Sequence, residues 1–90
     1  MARVEMYATQ TCPYCSMAEA LLHSKGVDPE KVLVDGHGEK RARMRERAGG
    51  RNTVPQIFIN GRHIGGFDEL SELDVGGELD ELLAEEAAGG

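Results

Sequence analysis

The sequence predicts an α/β domain in which a parallel strand-helix-strand unit is followed by a hairpin and a closing helix. Three observations lead there. Residues 3 to 7 alternate polar and apolar, which fits a strand, and an alanine- and leucine-rich stretch of helical spacing follows at once. Lys31-Val32-Leu33-Val34 is a second short β-branched run, bounded by Pro29 and by Asp35-Gly36, so a helix joins two strands and the connection should be a right-handed parallel crossover. Gln56-Ile57-Phe58-Ile59 is the most β-prone run in the chain, and Asn60-Gly61 before Arg62-His63-Ile64 is its clearest hairpin signal.

The elements follow in order. Val4 and Met6 share one face of the first strand, with Arg3, Glu5 and Tyr7 on the other, and Ala8-Thr9-Gln10-Thr11 leads to the helix. From Pro13 to about Lys25, Met17, Ala18, Leu21 and Leu22 form an apolar stripe that a sheet must cover, and Gly26 and Pro29 end the helix. His23 and Ser24 read as surface residues. A second helix is expected from Gly38 to Ala48, with only a thin apolar face of Ala42, Met44, Arg45 and Ala48, broken by Gly49-Gly50. Gly65-Gly66 lets the backbone turn or approach a neighbour closely, and Phe67-Asp68-Glu69-Leu70 opens a helix with Asp68 as the expected cap. Leu70 and Leu73, then Leu79, Leu82 and Leu83 beyond Gly76-Gly77, supply further apolar faces, and residues 87–90 are expected to be a frayed tail.

Ninety residues suit one domain, 1–90, with a modest core. The formal net charge of -6 argues against nucleic acid as a partner. No apolar stretch approaches the roughly 20 residues that span a bilayer, and the start has no signal-like core, so a cytoplasmic protein is expected. The charge is unevenly spread. From Asp68 to Gly90 there are acids but no Lys or Arg, whereas Lys40, Arg41, Arg43, Arg45, Arg47 and Arg51 cluster in the middle. Most of these read as solvated helix faces, although a local positive field could draw a small anionic substrate.

Both cysteines lie in Thr11-Cys12-Pro13-Tyr14-Cys15, at the first strand-to-helix junction. Two cysteines three positions apart at the first turn of a helix can close a small disulfide ring. The unpaired N-H groups and partial positive charge there favour a thiolate at the first of them. Pro13 suits the first helical turn, where its missing N-H would have been unpaired anyway. A structural disulfide closing so short a loop would constrain the unfolded chain little, and zinc would need two more ligands that His23, His37 and His63 do not offer in paired spacing. Redox chemistry is the reading that uses the motif, and no metal is expected.

With Cys12-Pro13-Tyr14-Cys15, Thr53-Val54-Pro55-Gln56-Ile57-Phe58-Ile59 and Gly65-Gly66-Phe67-Asp68 in this order and spacing, the chain resembles a dithiol glutaredoxin of the short bacterial type over nearly its whole length. The resemblance implies a thioredoxin-like fold: a four-stranded mixed sheet, ordered 2-1-3-4, flanked by helices. It implies Cys12 as nucleophile, Cys15 as resolving thiol, and glutathione as co-substrate. Pro55 would be cis, leaving the Val54 backbone to pair with the cysteinyl part of glutathione in a strand-like manner, with Thr53 beside it. Gly66 would give that peptide room, the Phe67 N-H and the Asp68 carboxylate would receive its γ-glutamyl end, and Tyr14 would pack against it. Relatives usually carry a lysine where this chain has Thr9. Arg41, with help from Arg51, is expected to supply the missing contact to the glycyl carboxylate.

The reaction so implied is thiol-disulfide exchange through mixed disulfides, on glutathionylated proteins and on protein disulfides, with ribonucleotide reductase a candidate partner and a monomer as the acting species. Two other readings compete. One is a redoxin reduced by thioredoxin reductase and serving ribonucleotide reductase, which has no need of a γ-glutamyl pocket. The other is a glutathione-assisted 2Fe-2S carrier, whose specialised relatives resemble a Cys-Gly-Phe-Ser pattern rather than Cys12-Pro13-Tyr14-Cys15.

Overall fold

The computed structural model describes residues 2–85; the expected frayed tail at 87–90 lies outside them. Eight elements follow in the order β1 (Val4–Ala8), α1 (Pro13–Ser24), β2 (Glu30–Leu33), α2 (Gly38–Arg47), β3 (Gln56–Ile59), β4 (Arg62–Gly65), α3 (Phe67–Val75) and α4 (Glu78–Ala84). The strands form one sheet ordered β2-β1-β3-β4, in which β1 runs parallel to β2 and antiparallel to β3, and β3 is antiparallel to β4. This is the mixed sheet of the thioredoxin-like fold. No helix among the described residues is long and apolar enough to cross a membrane.

Period-two alternation in the two central strands builds a core on each side of the sheet. Val4, Met6 and Ala8 of β1 and Ile57 and Ile59 of β3 face one layer, against Cys15, Ala18, Leu22, Leu70 and Leu79 from α1, α3 and α4. Tyr7 and Phe58 face the other, against Val34 and, from the α2 side, Met44 and Ala48. Both faces of β3 are therefore covered, which is why Gln56–Ile59 is buried throughout. The hairpin turn is the expected one, with positive φ at Asn60 (53°) and Gly61 (80°). Asn60 is also tied to the residue before β1: its Oδ1 accepts from the Arg3 N-H at 2.9 Å, and its own N-H donates to the Arg3 carbonyl at 2.8 Å.

Three local expectations are corrected. The apolar stripe of α1 is narrower than its sequence suggests, because Ala18 and Leu22 are buried while Met17 is exposed. On α2, Ala42 and Arg45 face solvent, and only Met44 and the following Ala48 are buried. Asp68 is not the cap of α3: the helix starts at Phe67 with Gly66 as its N-cap, and the Glu69 carboxylate accepts the Gly66 N-H at 2.8 Å.

Arg47 makes the thin face of α2 sufficient. Its guanidinium stacks over the Phe58 ring, 4.0 Å from the centroid, donates to both Glu5 oxygens at 3.2 Å and reaches the Tyr7 hydroxyl at 3.1 Å. The guanidinium thus covers the aromatic face that a longer apolar helix face would have covered. The hydrogen bond from Arg47 is the main reason that the Glu5 carboxyl titrates below its ordinary range.

The Glu5–Arg47 pair is mostly withdrawn from solvent, with side-chain exposures of 15% and 24%. Arg47→Ala is therefore expected to cost roughly 2 kcal/mol, between the surface and fully buried limits for losing one partner. Because the folded pKa of Glu5 is depressed, its contribution is present above the unfolded value of about 4.3 and is lost as pH falls through the folded one. Urea unfolding across that acid range should show the variant and the parent converging as pH falls. A gap independent of pH would assign the loss to packing alone.

Candidate active site

The site is assembled where β1 hands the chain to α1. Cys12 is the N-cap of α1, in extended conformation (φ -136°, ψ 103°), with Pro13 at the first helical position. Its Sγ accepts the Cys15 N-H at 3.1 Å, the bond that an oxygen makes at an ordinary helix start. Cys12 and Cys15 are joined as a disulfide with their Cα atoms 5.1 Å apart. On reduction, the same N-H and the helix terminus favour negative charge on Cys12. Cys15 differs, being only 4% exposed and packed within the core layer beneath α1.

Pairing of β1 with β3 brings a second segment to this point. Tyr7 lies opposite Gln56, so the chain entering β3 passes beside the chain leaving β1. The Val54–Pro55 peptide bond is cis, and Cys12 Sγ lies 3.9 Å from the Val54 carbonyl oxygen. A side-chain network holds this turn from below. Fully buried Gln56 donates from Nε2 to the Thr53 carbonyl at 3.0 Å and to the Thr53 hydroxyl oxygen at 3.2 Å, while its Oε1 meets His63 Nε2 at 2.7 Å. Burial, and after it the Arg51 charge, lowers the His63 pKa and so favours the neutral imidazole.

A shallow groove runs from this turn to the start of α3. Tyr14, Thr53, Val54, Pro55, Gly66, Phe67 and Asp68 line it, together with Arg51 and Glu69. The positions expected to bind glutathione therefore come together with one exception, and Cys12 meets them at the Val54 carbonyl. Arg41 does not line the groove; its Nε donates to Asn52 Oδ1 at 2.9 Å and a terminal nitrogen to the Asn52 carbonyl at 3.0 Å. Tyr14 is well exposed, and its ring centroid is 6.5 Å from that of Phe67.

Glu69 is the residue that sequence reasoning missed. One of its oxygens, Oε1, takes both the Gly66 N-H and the Arg51 guanidinium, each at 2.8 Å, and these two, in that order, lower its pKa. The signal was present: a Glu three positions beyond a helix N-cap reaches back to the cap N-H. Gln56 was also missed as a polar anchor, because a β-prone run suggests only apolar burial.

A half-buried sulfur set to carry charge, with a fully buried partner one turn behind it on a thioredoxin-like sheet, makes the class of protein clear: a thiol-disulfide oxidoreductase. The comparisons narrow the class. The family profile of the glutaredoxins matches residues 4–64. Over 83 residues, 92% of this chain and 99% of the relative, the sequence is 55% identical to Glutaredoxin 3 of Escherichia coli strain K12. The solution structure of a Brucella melitensis glutaredoxin superposes with a TM-score of 0.80 at 47% identity, covering 92% of this chain and 89% of that one. The crystal structure of a buckwheat glutaredoxin-glutathione complex gives 0.82 at 28% identity, covering 91% and 76%. The chain belongs to the glutaredoxin family.

Gly65 and the groove residue Gly66 are expected to respond differently to substitution. Gly65 has φ +121°, and a Cβ there would collide with the Glu69 carboxylate that holds both Arg51 and the Gly66 N-H. Gly65→Ala should cost roughly 1–3 kcal/mol. Gly66 is in extended backbone and its added Cβ would sit 3.4 Å from the Pro55 carbonyl oxygen, so Gly66→Ala should cost less than about 1 kcal/mol. Urea midpoints of the two variants measured side by side decide this, and equal losses would mean that the Glu69 contact is not what Gly65 protects.

Proposed function

We propose that this protein is a glutathione-dependent thiol-disulfide oxidoreductase, acting as a single-domain cytoplasmic monomer on glutathione mixed disulfides and on protein disulfides, with ribonucleotide reductase among the candidate substrates. The observation that carries the reading is the groove between the Val54–Pro55 turn and the start of α3, which meets Cys12 at the Val54 carbonyl. Its features match the parts of glutathione in order. The backbone of Val54 pairs with the cysteinyl residue and sets its sulfur against Cys12. Gly66 leaves room for the peptide. The Phe67 N-H, at the positive end of α3, takes the γ-glutamyl carboxylate, and the Asp68 carboxylate takes its ammonium.

Two arginines complete the binding in this reading. Arg51, expected from the sequence to assist Arg41 at the glycyl carboxylate, lines the groove beside Gly66 instead, and so adds charge at the γ-glutamyl end once a ligand carboxylate competes with Glu69. Arg41, held by Asn52 next to Thr53, serves the glycyl carboxylate in place of the cation missing at Thr9.

For a mixed disulfide, the Cys12 thiolate attacks the glutathione sulfur and the substrate leaves as a thiol. A second glutathione then releases glutathione disulfide and restores Cys12. For a protein disulfide, Cys12 forms the mixed disulfide, Cys15 displaces the substrate, and glutathione reduces the Cys12–Cys15 bond.

Cys15→Ser is expected to keep deglutathionylation and lose protein disulfide reduction, whereas Cys12→Ser loses both. NADPH consumption coupled through glutathione and glutathione reductase checks this, and survival of both activities without Cys15 refutes the resolving role. Arg41→Ala and Arg51→Ala should each raise the apparent KM for a glutathione mixed disulfide roughly two- to fivefold, as befits exposed charge pairs. An unchanged KM removes that arginine from the binding site. Turnover driven by thioredoxin reductase alone would leave the fold assignment standing and overturn the choice of electron donor.

A further inference from the structure

The devices described so far favour negative charge on Cys12 and do nothing for Cys15. Yet Cys15 must lose a proton before it attacks a mixed disulfide on Cys12, and its apolar surroundings oppose that loss. The structure has a second cavity, of about 230 Å³, on the side of α1 away from the groove, and Cys15 lines it. Its walls are Met6 and Ala8 of β1, Thr9 and Gln10 of the following loop, Ser16 and Glu19 of α1, and Lys31 and Leu33 of β2. The cavity is large enough for several waters.

Glu19 is the one carboxylate in that lining. It stands four residues after Cys15, on the same face of α1. Lys31 of edge strand β2 holds it by an ion pair, Nζ to Oε2 at 3.1 Å, which bridges the strand and the helix across the cavity. The charged or titratable groups facing the space are thus Cys15 and Glu19 from α1 and Lys31 from β2. β1 contributes none, and Asp35 enters only by accepting the Gln10 N-H of the loop at 3.0 Å.

We propose that Glu19 is the proton acceptor for Cys15 in the dithiol route, taking the proton through water in the cavity beneath α1, with Lys31 as its positioning residue. This rests on the oxidoreductase reading above but does not require glutathione. The Cys15 thiol gives its proton to the Glu19 carboxylate, and the resulting thiolate attacks Cys12 Sγ. The Cys12–Cys15 bond forms, the bond from Cys12 to the substrate sulfur breaks, and the substrate departs on the groove side as a thiolate that solvent protonates, while Glu19 returns its proton to the water of the cavity. Two electrons pass from the dithiol to the substrate disulfide. The monothiol route bypasses the cavity because Cys15 takes no part in it.

Reaction of the reduced protein with 5,5′-dithiobis(2-nitrobenzoate) separates the steps. A first release of thionitrobenzoate reports attack by Cys12, and a second reports displacement by Cys15. At neutral pH, Glu19→Gln is expected to slow the second release at least roughly tenfold relative to the first, with the deficit shrinking as pH rises and solvent base takes over. Glu19→Asp should restore part of the rate. Lys31→Met, which breaks the ion pair but keeps the carboxylate, should lose less than Glu19→Gln. An unchanged second release, an equal slowing of both releases, or a loss in Lys31→Met as large as in Glu19→Gln would each overturn the proposal. Failure of glutathione-coupled turnover with these releases intact would count against the electron donor and not against Glu19.

Discussion

The antiparallel pairing of β1 with β3 is the constraint on which the site depends. It sets the chain leaving β1 beside the chain entering β3, with Tyr7 opposite Gln56. The N-terminus of α1 and the Val54–Pro55 turn, 42 residues apart in sequence, are thereby brought within contact of one sulfur. Ile57 and Ile59, alternating with Phe58, bury β3 from both sides and fix its register, since a slip by one residue would turn the apolar set away from its layer. The reactive geometry is a consequence of that burial, and the polar groups at the site only refine it.

That refinement is done by polar groups joined in pairs and networks, buried at Gln56 and exposed at Arg51. Gln56 and His63 tie the loop before β3 from inside, and Glu69 ties Arg51 and the start of α3 at the far end of the groove. A buried group such as Gln56 contributes modestly to stability when satisfied and costs much when a partner is lost, so it specifies one arrangement more than it strengthens it. At the opposite end of α1, Lys25 bridges Asp74 at 2.7 Å and Asp80 at 3.0 Å, anchoring the helix that carries both cysteines to α3 and α4. The two ends of α1 thus have different tasks, chemistry at the first turn and attachment at the last.

The acid-rich C-terminal part and the base-rich middle also acquire distinct meanings in three dimensions. Asp74 and Asp80 are consumed by the anchor, Glu69 by the cap, and only Asp68 is an exposed groove acid. Among the bases, Arg47 covers an aromatic face, Arg51 borders the groove and Arg41 braces Asn52, while Lys40, Arg43 and Arg45 face solvent. Charge along the sequence says nothing about which of these uses applies, because helical phase and the neighbouring element decide it.

By itself the sequence determined the element order, the parallel unit followed by a hairpin, and the place of the cysteine pair at a helix start. These are local properties: strand alternation, helical spacing, the Asn60-Gly61 turn, and Pro13 after Cys12 each act within a few residues. The family motifs added Val54-Pro55 and Gly66-Phe67-Asp68 as partners of that pair. Only the tertiary structure decided that Arg51 and Glu69 border the groove while Arg41 does not, that Glu69 and not Asp68 caps α3, and that Arg47 is the basic residue turned inward. It alone set Glu19 in one cavity with Cys15. Each of these depends on the meeting of side chains from elements distant in sequence, and a contact of that kind is fixed by packing across the sheet rather than by the preferences of either segment.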